Sequence, residues 1–110
     1  MSSVRLALIV AFAALLTACN GTRQSPSESV PAPRPLLVQG AMDVEVRALV
    51  NLLEHPLESR VQGWTFWTGT LNGYPVVISK TMKGGSNTAA ATAIAIERFH
   101  PIAIINQGTA

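Results

Sequence analysis

The sequence predicts an α/β fold in which helices pack against a largely parallel sheet. Leu36–Gln39 (LLVQ) and Ile102–Ile105 (IAII) are short apolar runs with the composition of buried strands. Between them, two helical stretches flank one strand hairpin, so the order reads strand, helix, hairpin, helix, strand. That alternation builds layered α/β domains.

The elements follow in order. Leu36–Gln39 sits between Pro35 and Gly40 and predicts a buried first strand. Asp43 offers a helix start, and Val46, Leu49, Val50 and Leu53 recur on one face, predicting a helix over about 43–54 that Pro56 stops. Residues 64–71 (WTFWTGTL) are aromatic and threonine-rich, as strands are. Asn72-Gly73 is a two-residue hairpin signal because both positions tolerate positive φ. Tyr74–Ser79 returns as the partner, with Pro75 expected at a strand end or edge. After a loop over 81–85, Ser86 and Asn87 are candidate caps for an alanine-rich helix over 88–99, whose small side chains allow close packing. Pro101 ends it, and Ile102–Ile105 is expected as a central strand buried on both faces.

The chain has 110 residues, and the segment ahead of this pattern has another character. Arg5 is followed by the apolar run Leu6–Leu16, too short for the roughly 20 residues that span a bilayer core as a helix. It fits the apolar region of a secretory signal. Leu16-Thr17-Ala18-Cys19 then resembles the lipobox of bacterial lipoproteins, which implies cleavage before Cys19 and lipid on its sulfur. Cys19 is the sole cysteine, so no intrachain disulfide competes for it. The expectation is a signal peptide over 1–18, a cell-envelope location and attachment to a membrane through Cys19. Asn20 favours the outer membrane, by resemblance to enteric sorting. Residues 19–35 are rich in serine and proline, cannot bury a core and read as a lipidated tether.

Residues 36–110 carry balanced charge. Arg47, Arg60, Lys80, Lys83 and Arg98 face Asp43, Glu45, Glu54, Glu58 and Glu97. The formal net charge of +2 arises ahead of this region, through Arg5, Arg23 and Arg34, so nothing argues for a nucleic-acid partner. His55 and His100 each precede a proline without ligand spacing, so no metal site and no cofactor are expected. Trp64 and Trp67 fall on opposite faces of one strand, and core packing is expected for both. Gly84-Gly85 lacks the remaining pattern of a phosphate loop and reads as a flexible turn. The sequence passes from an apolar strand into Asn106–Ala110, where α/β domains place functional loops. The expectation is the first part of a larger domain.

Three blocks carry a family resemblance. Gly40-Ala41-Met42-Asp43-Val44-Glu45-Val46, Gly69-Thr70-Leu71-Asn72-Gly73 and Ile104-Ile105-Asn106-Gln107-Gly108-Thr109-Ala110 resemble, in order, the 5'-methylthioadenosine/S-adenosylhomocysteine nucleosidases of the nucleoside phosphorylase superfamily. The resemblance covers nearly all of 36–110. It implies the N-terminal part of a three-layer domain with a mixed sheet flanked by helices, and hydrolysis of the bond between adenine and a 5'-thio-substituted ribose. By the same resemblance, Glu45 activates water, Met42 packs on the ribose, and Thr109 supplies a hydroxyl near ribose and water where serine is common. A carboxylate in a first helical turn also has a plain structural use, as a favourable charge at the helix start. Asn106 stands where phosphorylases carry a phosphate-gripping arginine, which favours hydrolysis. The acid that protonates the purine lies in the family's C-terminal half, so residues 20–110 alone are expected neither to bind adenine nucleosides tightly nor to hydrolyse them. The resemblance further implies a homodimer. The alternatives are a non-catalytic lipoprotein interaction module and a phosphorolytic enzyme.

Overall fold

A computed structural model describes Gly21 and residues 29–108. The signal segment, Cys19 with most of the tether, and Thr109 lie outside the described residues. Residues from Pro31 onward form one compact unit and are described by themselves.

The elements are β1 (Leu36–Gly40), α1 (Asp43–Leu52), β2 (Glu54–Val61), β3 (Trp64–Leu71), β4 (Tyr74–Lys80), α2 (Gly85–Phe99) and β5 (Ala103–Asn106). The strands form one mixed sheet in the order β2-β3-β4-β1-β5. β1 runs parallel to both β4 and β5, whereas β3 runs antiparallel to its neighbours β2 and β4. The α/β layering and the mixed sheet that the resemblance implies are what the chain adopts, whereas the largely parallel sheet read from the element order is not, because β3 pairs antiparallel with both of its neighbours.

Alternation along the central strands explains why they read as continuous apolar runs. On one sheet face, Val38, Val76 and Ile78 pack with Val46 and Leu53, together with Leu49, Val50 and Trp67. On the other, Leu37, Val77 and Phe66 pack with Ala95, Ile94, Trp64 and Phe99. The two tryptophans thus serve opposite cores. Ala91 and Ala95 are fully buried, so α2 meets the sheet through its smallest side chains. Phe66 and Phe99 meet with centroids 5.5 Å apart and planes tilted by 55°. Full burial of a side chain such as Phe66 contributes about 1.5–3 kcal/mol.

Four other expectations need correction. The helix ends at Leu52, well before Pro56, because Leu53 turns extended (φ −65°, ψ 133°) and drops into the core. Residues 54–61 form a strand that the sequence pattern does not suggest. β2 lies at the sheet edge, where Pro56 removes no ladder bond that the interior needs. Its register with β3 shifts between Glu54 and Leu57, and His55 adopts φ 52° there. Gln62 (φ 51°) and Gly63 (φ 95°) make the tight β2–β3 turn, matching the Asn72-Gly73 turn of the next hairpin (φ 49° and 77°). α2 begins at Gly85 with Gly84 as its cap, so Ser86 and Asn87 lie inside its first turn. Asn87 instead donates from Nδ2 to the Lys83 carbonyl. Finally, β5 is not central. It pairs with β1 alone among the described residues, and Ile104 (41% exposed) and Ile105 (48%) open onto solvent.

The entry to β1 is fastened. Arg34 donates from Nε to the His100 carbonyl and from Nη2 to the Pro101 carbonyl (2.8 and 2.6 Å). The Tyr74 hydroxyl donates to the Arg34 carbonyl (3.1 Å), and the Ile102 amide to that of Pro35 (2.9 Å). His100 is the left-handed residue that closes α2, so Arg34 satisfies carbonyls that a helix end leaves open.

Candidate functional site

The carboxyl ends of β1, β4 and β5 converge on one side of the sheet, beside the start of α2. A cavity of about 360 Å³ opens there, lined by Ala41, Thr81, Gly84, Gly85, Thr88, Ala89, Asn106 and Gly108. Crevices at strand carboxyl ends are where α/β sheets bind ligands.

Glu45 lies behind Ala41 and Gly108. Its Oε2 accepts the amide of Ala41 at 2.6 Å and that of Met42 at 2.9 Å. The second of these bonds is the carboxylate half of a capping box, and it satisfies an amide that the helix start leaves orphaned. The carboxylate is also pressed by Gly108. A methyl group added there would come within 3.0 Å of Oε2, 2.9 Å of the Ala41 nitrogen and 3.0 Å of the Gly40 Cα. The turn after β5 is held down by two further bonds. The Gln107 amide donates to the Gln39 carbonyl (3.0 Å), and Gln107 Nε2 donates to the Glu45 carbonyl (2.8 Å). The Gly108 amide donates to Asn106 Oδ1 (3.2 Å). Glu45 is thereby fixed between the turns that follow β1 and β5.

Met42 does not line the same cavity. It faces a neighbouring, more open hollow of about 450 Å³ with Val44, Met82, Lys83, Asp43 and Lys80. Ala41 lines both spaces, and Lys80 Nζ pairs with Asp43 at 3.0 Å beside it. Of the sequence-predicted site residues, the structure sets Glu45 and Met42 on either side of the β1–α1 turn, while Thr109 and Cys19 are outside its description.

Other lining groups escape the sequence pattern. The Thr81 hydroxyl lies 3.2 Å from the Met82 carbonyl and 3.4 Å from that of Gly40, and it accepts from Thr88 at 3.4 Å. Gly84-Gly85, expected as a flexible turn, opens α2 directly onto the cavity, with Gly84 at φ 99°. The signal was present in a glycine pair between a strand end and a helix start. The sheet face toward α2 is also polar: Gln39 and Ser79 are register partners, and Thr92 Oγ1 lies 3.0 Å from Gln39 Oε1. Among the described residues Ser79 Oγ is buried without a partner, an arrangement that costs about 1–3 kcal/mol.

The arrangement offers two threonine hydroxyls, an asparagine and a helix start around one cavity, with the anchored Glu45 carboxylate behind its wall. The sequence profile of the phosphorylase superfamily matches residues 35–110. The chain belongs to the phosphorylase superfamily. Within that superfamily it is similar to a 5'-methylthioadenosine/S-adenosylhomocysteine nucleosidase from a Geobacillus strain, at 40% identity over 75 residues, covering 68% of this chain and 32% of the relative. It also resembles two solved superfamily structures. One is the nucleosidase of the same name from Neisseria meningitidis in complex with methylthio-immucillin-A, with TM-score 0.65, 28% identity and coverage of 67% of this chain and 32% of that one. The other is the nucleosidase from Colwellia psychrerythraea in complex with adenine, with TM-score 0.64, 36% identity and coverage of 66% and 30%. The chain spans about a third of the length of the curated superfamily relatives it matches.

Proposed function

We propose that this chain supplies the N-terminal part of a lipid-anchored nucleosidase that hydrolyses the N-glycosidic bond of 5'-methylthioadenosine/S-adenosylhomocysteine-type nucleosides. The observation that carries the reading is the Glu45 carboxylate, gripped by the Ala41 and Met42 amides and set against Gly108 at the cavity edge. A base that orients water must be held in place, and the two amide bonds hold this one. Met42 on the adjoining hollow contributes an apolar contact to ribose, and Thr109 a hydroxyl. Asn106, at the cavity wall, lacks the charge that would hold a phosphate bidentately, so water is the acceptor. The leaving purine needs an acid that residues 20–110 do not supply, and this part alone is inactive. Lipid on Cys19 holds the protein at the periplasmic face of the outer membrane, and two copies pair as a homodimer.

The test is a chimera in which residues 36–110 replace the matching third of the Geobacillus relative. Adenine release from 5'-methylthioadenosine is expected, and Glu45→Gln should lower it by roughly 10²–10⁴-fold, the usual contribution of a general base. A folded chimera that hydrolyses equally well with glutamine would remove Glu45 from the role. Adenine release by residues 20–110 alone would overturn the requirement for a further part.

A second reading, a non-catalytic interaction module, draws on β5 and the residue before it, where Ile102, Ile104 and Ile105 are exposed. It predicts a folded chimera without activity.

A further inference from the structure

We propose that the cleft between α1 and the β2–β3–β4 face is a second site, which binds a small soluble phosphate-bearing molecule. It is separate from the nucleoside cavity and does not depend on the nucleosidase reading.

The cleft has a volume of about 250 Å³ and is built from residues far apart in sequence. Asp43, Arg47, Val50 and Asn51 recur on one face of α1. Opposite them, the register places Arg60, Thr65 and Lys80 in one row across β2, β3 and β4. Glu58 and Trp67 form the row beside it. Three cations therefore approach from three elements, against two carboxylates.

Both carboxylates are already engaged. Asp43 takes Lys80 Nζ at 3.0 and 3.2 Å. Glu58 Oε2 accepts Trp67 Nε1 at 3.1 Å, and its Oε1 lies 3.9 Å from Arg60 Nε. Arg47 has no ion pair or hydrogen bond among the described residues. Thr65, only 5% exposed as a residue, also lines the cleft and can offer it a hydroxyl. A hydroxyl set between cations can donate to an acceptor seated in the cleft.

The donors Arg47, Arg60, Lys80, Thr65 and Asn51 suit an oxyanion, and their approach from α1, β2 and β4 suits a tetrahedral one better than a planar carboxylate. The domain's charges balance and form no extended basic stripe, so a nucleic-acid backbone is a poor fit. The Asp43–Lys80 pair stands between this cleft and the hollow beside Met42, so a phosphate in the cleft competes with Asp43 for Lys80.

The experiment is a titration of the ¹⁵N-labelled full chain with inorganic phosphate, with ionic strength held constant by chloride. Saturable shifts are expected at the Trp67 indole N–H and the Thr65 and Lys80 amides. Changing Arg47→Ala together with Arg60→Ala, both at exposed positions, should weaken binding by at least about tenfold, since bonds to charged groups are the strong ones. Arg60→Lys should weaken it less, and Thr65→Val is a second, charge-neutral probe that should also weaken it. Succinate should bind more weakly than phosphate. Non-saturating shifts, an unchanged response in the double variant, or a response only to phosphatidylglycerol vesicles would each overturn the proposal.

Discussion

Glu45 has two readings, a helix-start brace and a reacting carboxylate, and substitution can separate them. Oε2 accepts two backbone amides, at 2.6 and 2.9 Å. Replacing Glu45 by alanine leaves both without that acceptor. Loss of a cap of this type costs about 0.5–2 kcal/mol, and the charge assistance here argues for the upper part of that range. For a domain of this size, ~1 kcal/mol moves the melting midpoint by roughly 4–8 °C, so Glu45→Ala should lower it by about 5–15 °C. Glutamine keeps a carbonyl oxygen where Oε2 stands and can accept the same amides, so Glu45→Gln should cost less than about 1 kcal/mol. Urea denaturation of residues 20–110 followed by tryptophan fluorescence gives both values, because Trp64 and Trp67 report on opposite cores. Equal destabilisation by alanine and glutamine would refute the acceptor argument. In the chimera both substitutions should lower hydrolysis by roughly 10²–10⁴-fold, so stability and activity would part company only for glutamine.

Two other predictions rest on single contacts. A methyl group on Gly69 would sit 2.7 Å from the Glu54 carbonyl oxygen and 3.2 Å from Leu53 Cβ, so Gly69→Ala should destabilise by about 1–3 kcal/mol in a urea titration; an unchanged midpoint would show that the edge strand yields freely. The Thr70 hydroxyl donates to Glu54 Oε2 at 2.7 Å and holds that carboxyl below its usual pKa, against the opposing effect of desolvation and helped by the Gly73 and Asn72 amides. Because the folded value is lowered, this contribution is present above the unfolded pKa and fades as pH falls through the folded one. Thr70→Val should return the Glu54 midpoint upward in an NMR pH titration, and an unmoved midpoint would contradict the assignment.

The parts of the fold legible in the sequence are those whose side chains carry the cause. β1, α1, β3, β4 and α2 announce themselves because their apolar residues are the core, and Asn72-Gly73 because positive φ needs those residue types. β2 is silent because pairing with β3 makes it a strand, while its own residues, EHPLESRV, are polar and proline-bearing. β5 misleads in the opposite sense: its isoleucines read as burial, yet exposure depends on neighbours that a local pattern does not encode. At the site, Glu45 could be placed on the first turn of a helix, but not its contact with Gly108, which comes from β5 lying beside β1. Thr81 and Thr88 were hidden because threonine is common, and only the convergence of β4 with α2 brings their hydroxyls together.

The Arg34 fastening has a mechanical meaning. Arg34 and the adjoining Pro35 are bonded to the end of α2, to the first residue of β4 and to the lead into β5, all at the end of β1 remote from Gly40. A pull arriving from the preceding chain is therefore shared among three elements before it reaches β1, as strain relief protects a cable at its socket. The five residues of β1 then carry little of that load to the turn that Glu45 caps. A domain fastened in this way can be tugged from its N-terminal side without its most exacting geometry being disturbed.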